Sequence, residues 1–173
     1  MAVPSREEAL DVLERGHGAT FALLAELSEE QMTLPDAIGG GEWSAKDLVG
    51  HLAFWEELSL QALEEFRRGE RPRVEDIFDS DEAVDRENAD DVARKPAMPW
   101  TQVRDAAQAT HGSLVGAIRA MSNEEWTARA PYPAERRTTL GALLASVTGA
   151  KAGPFAHAFD HLPDLEAYVS ALG

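Results

Sequence analysis

The stretch "SAKDLVGHLAFWEELSLQALEEFRRG", Ser44 to Gly69, limits the fold more than any other part of the chain. Ser44 is a good N-cap, and Asp47 stands three residues on, at the position that completes a capping box. Gly69 is a natural stop, and Arg67 and Arg68 lie where a helix C-terminus favours cations. Glu56, Glu57, Glu64 and Glu65 are expected to mark the solvent side. A helix from about Ser44 to Arg68 must lay its apolar residues on neighbouring elements.

Those neighbours also read as helices. "SREEALDVLERGHGATFALLAELSEEQ" opens on Ser5, with Glu7 and Glu8 suited to a first turn. Leu10, Leu13, Phe21, Leu24 and Leu27 follow at roughly helical spacing. Gly16 and Gly18 weaken this helix without ending it, and His17 beside them reads as a surface or boundary histidine. "LPDAIGGGEW" is a loop. The acid-rich run after Gly69 reads as a long connection with a short helix from Glu82 to Ala93. It lacks the glycine and terminal glutamate of an EF-hand, so its acids read as a solvated face. "PWTQVRDAAQATHGSLVGAIRAM" predicts a third helix capped by Thr101, with Val103, Ala107, Leu114 and Ile118 inward and His111 as a hydrogen-bonded structural group near the core. "SNEEWTARAPYPAERR" reads as a short acidic turn and a loop. A fourth helical stretch, "TTLGALLASVTGAKAGPFAHAFDHLPDLEAYVSAL", is interrupted at Gly153-Pro154 and at Pro163, with Pro154 placed to restart a helix. There is no strand pattern, repeat or heptad run. The expectation is an all-α four-helix bundle, with residues 1–173 as a single domain.

Composition narrows the chemistry. At 173 residues and 44% hydrophobic content the chain can bury one sizeable core. No run of ~18 apolar residues occurs, so no membrane span is expected. The start reads as a mature N-terminus without a signal peptide. Cysteine is absent, which removes disulfides and thiolate ligands; any metal must be held by nitrogen and oxygen. A formal charge of −15 opposes a nucleic-acid partner, because the protein's field repels phosphate. A cytoplasmic location is expected. "LASV" and "WSAK" lack the glycine elbow of a serine hydrolase, and "GGGE" lacks the lysine of a phosphate loop.

The histidines carry the remaining signal. His157 and His161, in "HAFDH", are four residues apart and stack on one face of a helix. His51, in "LVGHLAFW", sits among apolar residues on a face expected to point inward. Spacing leaves two readings open: a structural histidine satisfied by a hydrogen bond, or a third metal ligand beside His157 and His161. Trp55, one turn after His51, can wall such a cavity or simply fill the core. Trp43 reads as an anchor for the helix start.

The blocks "GEWSAKDLVGHLAFWEE" and "HAFDHLPDLEAYV" resemble the DinB-like superfamily, also called the YfiT-like metalloenzymes, which includes the N-terminal domain of mycothiol-dependent maleylpyruvate isomerase. The segments "MAVPSREEAL" and "FAHAFDHLPDLEAYV" are most similar to its ClbS/DfsB branch. The resemblance implies a four-helix bundle with a metal on three residues, which map onto His51, His157 and His161. His17 and His111 fall outside that set. It implies a divalent ion (zinc, nickel and ferrous iron all accept imidazole) and a small-molecule substrate, with a low-molecular-weight thiol such as mycothiol as a cosubstrate. The reaction would be a thiol-dependent transfer or isomerisation. The alternatives are a hydrolase or resistance protein of ClbS type, and a binding bundle without catalysis. Asp160, Glu56 or backbone carbonyls are the groups that can orient the three imidazoles. A homodimer is also expected, from the resemblance and from an apparent apolar surplus on the first and third helices.

Overall fold

The structure, a computed structural model, describes residues 3–38, 43–94, 98–134 and 136–172. The glycine run of the expected 34–43 loop lies outside them. Among the described residues every regular element is a helix, and pairing of the β type is confined to three isolated bridges.

Capping fixes the helix starts. α1 (Arg6–Leu24) begins at Ser5, whose hydroxyl accepts from the Glu8 N–H while the Glu8 carboxylate accepts from the Ser5 N–H at 2.8 Å. Ser28 starts the short α2 (Glu29–Met32) with the same device. So does Ser44 for α3 (Ala45–Arg67), with Asp47 as its partner. Each box supplies side-chain acceptors to backbone N–H groups that a helix start otherwise leaves unpaired, worth about 1 kcal/mol per cap. Gly69 follows α3 in the left-handed region, at φ +78°. The helix thus ends where expected.

The expected long connection is more ordered than its composition implied. It contains α4 (Arg73–Ile77) and then α5 (Asp81–Arg94), which extends the expected 82–93 helix by one residue at each end. α6 (Trp100–Ala120) is capped by Pro99 rather than Thr101. Pro99 has the extended conformation required just before a helix, and its missing N–H is no loss there, so the helix begins earlier and Thr101 falls inside its first turn. α7 (Asn123–Trp126) and α8 (Leu140–Val147) follow, then α9 (His157–Leu172). Pro154 does not restart a helix. Residues 148–156 form a turn in which Phe155 takes φ +59°, and α9 begins at His157. Pro163 lies within α9 instead of ending it.

α3 is central, packed on α6 and α8, while α1 packs on α9 and α6. Gly16 makes the α1–α9 approach possible: a Cβ there would lie 3.0 Å from the Ala158 Cβ. The buried apolar side chains form two groups. One includes Leu13, Phe54, Leu58, Leu114 and Leu144; the other includes Leu24, Leu48, Val103, Leu165 and Tyr168. His17 on α1 and His111 on α6 fall, along their helices, between the residues of the two groups. Glu56 faces inward, contrary to the expectation of a solvent-side residue, while Glu57 and Glu64 are exposed. Among the described residues no helix is long and apolar enough to cross a membrane.

Candidate metal centre

His51 is on α3, and His157 and His161 open α9 one turn apart. The turn before α9 sets the pair's direction. Asp160 accepts from the Lys151 and Ala152 N–H groups at 2.8 and 2.7 Å, and the His157 N–H donates to the Thr148 carbonyl at 3.1 Å. Phe155, buried and stacked near Trp126, holds the left-handed conformation just before the helix. Such a conformation in a bulky residue is costly and persists only where its surroundings fix it.

The three imidazoles converge. His157 Nε2 lies 3.1 Å from His51 Nε2 and 3.2 Å from His161 Nε2, and one ligand atom from each ring falls within 4.8 Å of the other two. Nitrogens bonded to zinc at ~2.0–2.1 Å in a tetrahedral arrangement lie about 3.3 Å apart, so the two separations from His157 suit a shared ion. A neutral imidazole nitrogen is either an N–H donor or a lone-pair acceptor. One proton serves only one of the His157 contacts well, whereas three lone pairs aimed at one point fit a cation. Electrostatics keep the lone pairs available. Burial, reinforced by neighbouring His161, holds His157 down to about 3, against the weaker upward pull of Asp160. Burial also lowers His161, opposed by Asp164 and Asp160. Both are therefore neutral near pH 7.

The triad floors a cleft of about 690 Å³. Trp55 meets both readings left open for it: it packs in the core and lines the cleft, with its indole N–H donating to Asn88 Oδ1 of α5 at 3.1 Å and its ring stacked near Phe78. Trp43 does more than anchor the start of α3. Its backbone pairs with Ile38, as an anchor should, but its ring also lies 4.6 Å from the His51 ring and 5.9 Å from the His161 ring, over the triad. Local sequence carries no sign of this second role, because Trp43 precedes the helix and its direction depends on the bridge to Ile38. Asp81, Asp164 and Lys151 add charge to the rim.

The two remaining histidines stand apart from the triad. His17 is the boundary histidine of the sequence reading, half-buried rather than exposed. Its ring stacks on His111 at 3.8 Å with the planes 8° apart, and burial followed by the His111 charge holds it down to about 4. His111 is the hydrogen-bonded histidine expected near the core: its Nδ1 lies 2.8 Å from Glu56 Oε1, with both side chains largely buried. Glu56 is thus committed to His111, and Asp160 to the turn. Neither makes a direct hydrogen bond to a triad ring.

Residues 4–149 match the DinB superfamily. The chain belongs to that family. The match takes in His51 and stops short of His157 and His161. The fold is also that of ClbS, a colibactin self-resistance protein solved in complex with double-stranded DNA, at a TM-score of 0.70 and 20% identity, covering 95% of this chain and 98% of that one. No curated protein matches the sequence.

Proposed function

We propose that this DinB-superfamily chain is a divalent-metal-dependent enzyme that acts on a small molecule in the cleft above His51, His157 and His161, as a transferase or isomerase using a low-molecular-weight thiol. One observation carries the reading: His157 Nε2 lies 3.1 Å from His51 Nε2 and 3.2 Å from His161 Nε2, in an aromatic-walled cleft. A divalent ion supplies Lewis acidity when bound, activating a thiol or water and polarising an electrophile. The protein's own residues do the rest. The rings of Trp43, Trp55 and Phe78 shield the floor from bulk water and offer flat apolar surface to a substrate. Asp160 fixes the turn that aims both α9 histidines.

The likeness in fold to a resistance protein favours a second reading, hydrolysis of a reactive electrophile by activated water. Three measurements separate the readings. Metal analysis of purified protein should find about one zinc, nickel or iron per chain, and no uptake after dialysis against all three refutes the metal reading. Turnover of an electrophile panel that requires added thiol selects transfer; turnover without thiol selects hydrolysis. Binding without turnover selects a non-catalytic bundle.

Duplex DNA is left out of the proposal although the ClbS structure contains it, because a charge of −15 opposes phosphate. A gel shift at low salt tests that choice. Treating the chain as one domain is supported by the Trp126 N–H bond to the Pro4 carbonyl and by Leu165 and Tyr168 packing in one group with Leu24 and Met32. The homodimer is retained on the family resemblance alone. Among the described residues the large exposed hydrophobics are Val3, Leu34 and Leu172, none of them on α1 or α6, and Leu10, Val12, Phe21 and Leu23 of α1 are partly buried against the bundle's own core. Sedimentation equilibrium showing only the 18.8 kDa species would remove the dimer.

A further inference from the structure

Behind the triad, on the side away from the cleft, lies a small interior cavity of about 30 Å³ between α1, α3 and α9. His157 lines both spaces and so stands between them. The polar residues on the interior side are His17, Thr20, Glu56, Thr148 and His157. Two of these are already committed: the Thr20 hydroxyl donates to the Gly16 carbonyl and the Thr148 hydroxyl to the Leu144 carbonyl. Glu56 uses Oε1 for His111, which leaves Oε2 as an acceptor.

The His157 ring has the complementary need. Its hydrogen bonds among the described residues both run through Nε2. When Nε2 presents a lone pair to the triad, the ring proton resides on Nδ1, and a ligating histidine almost always donates that proton to a carboxylate, carbonyl or water. A cavity of this size has room for one or two water molecules, since one needs roughly 10–15 Å³.

We propose that Glu56 is a positioning residue for the metal centre: through water in the interior cavity its carboxylate accepts the Nδ1 proton of His157 and holds that ring in the tautomer whose Nε2 faces His51 and His161. His111 and His17 complete the support. The hydrogen bond from His111 fixes the Glu56 rotamer, and the His17 ring stacked on His111 fixes His111 in turn. A direct reach from Glu56 to the triad is not required, which is why a residue committed to His111 can still act on His157.

This inference rests on the proposed metal function, but its first test needs no metal. Nitrogen-15 NMR of the metal-free full-length protein at pH 7.5 should report His157 as the Nδ1–H tautomer. Finding it as Nε2–H overturns the proposal whatever the variants do. In Glu56→Ala, and in Glu56→Leu should alanine unfold the protein, the His157 signal should move toward mixed tautomers, and cobalt(II) affinity measured by chelator competition should fall about 10–100-fold. Glu56→Gln, which keeps an acceptor oxygen, should retain most of the Nδ1–H signal. A folded Glu56 variant with unchanged tautomer and cobalt affinity within twofold of the parent leaves Glu56 a purely structural residue and refutes the proposal. Failure of the parent protein to bind cobalt refutes the metal reading and leaves the tautomer result to decide this one.

Discussion

The bundle holds two groups of histidines that share residue type and burial but differ in how the rings meet. At the triad, rings from α3 and α9 approach edge on, and their Nε2 atoms converge. Between α1 and α6, His17 and His111 lie face to face, and the His111 ring makes its short polar contact sideways, to Glu56. Convergent lone pairs make a place for a cation. Stacked rings with a carboxylate make an internal brace. Burial lowers His17 and His157 alike, so depressed basicity does not separate the two roles; the direction of the nitrogens does.

The largest expected effects test that difference directly. His51→Ala, His157→Ala and His161→Ala should each abolish stoichiometric metal binding at a concentration that saturates the parent. His17→Ala should still load metal. Elemental analysis after desalting reads the outcome, and equal loss in all four would erase the distinction.

His111→Ala exchanges the readouts. It removes the partner of a largely buried carboxylate, which should lower stability by about 1.5–3 kcal/mol in urea titrations. The protein should still fill its triad when metal is in excess. Loss of metal with no loss of stability would reverse the assignment of brace and site.

Acid sharpens the comparison. A histidine with an unfolded value of 6.5 and a folded value of about 4 (His17) or 3 (His157) binds its proton more readily when unfolded. The unfolded chain therefore gains protons first as the pH falls. The stability contributed by each neutral ring is complete above about pH 6.5 and declines below it, until pH 4 for His17 and pH 3 for His157. The metal-free urea midpoint should fall across that window. His17→Gln should flatten the fall while leaving the His157 share in place; an unchanged slope would place His17 in a more open setting than the stack implies.

The smallest effect concerns the joint between the two groups. Gly16→Ala places a methyl 3.0 Å from Ala158 Cβ and 3.2 Å from the Phe159 ring, next to the helix that carries the α9 pair. Overpacking of this kind costs about 1–3 kcal/mol, offset by up to ~1 kcal/mol of better helix propensity. A net loss near 1 kcal/mol by thermal melt is expected, and a gain would show that α9 yields freely.

Local chemistry was the legible part of the sequence. The capping serines Ser5 and Ser44 and the stop at Gly69 place helix ends through interactions within four residues, so the start of α1 and both ends of α3 could be read. By contrast, α1 stops at Leu24, short of the expected Leu27, and Ser28 opens α2. The triad could be read from one-turn spacing together with the family resemblance. The contacts that escaped are set by neighbours distant in sequence. Glu56 resembles its exposed neighbour Glu57 until α6 brings His111 to it, 55 residues away. His17 takes its meaning from the same helix. Pro154 looks like a helix start, yet the clamp from Asp160 and the left-handed Phe155 delay α9 to His157.

The contact between His51 and His157 joins positions 106 residues apart. Whatever the three nitrogens hold cannot be bound by a chain still being synthesised until both flanking helices exist and have met. Two of the three ligands leave the ribosome long after the first. On the metal reading proposed above, ion capture would act as a checkpoint on completed tertiary assembly, and a protease cut anywhere in the long interval between α3 and α9 would leave the three histidines on pieces joined only by packing.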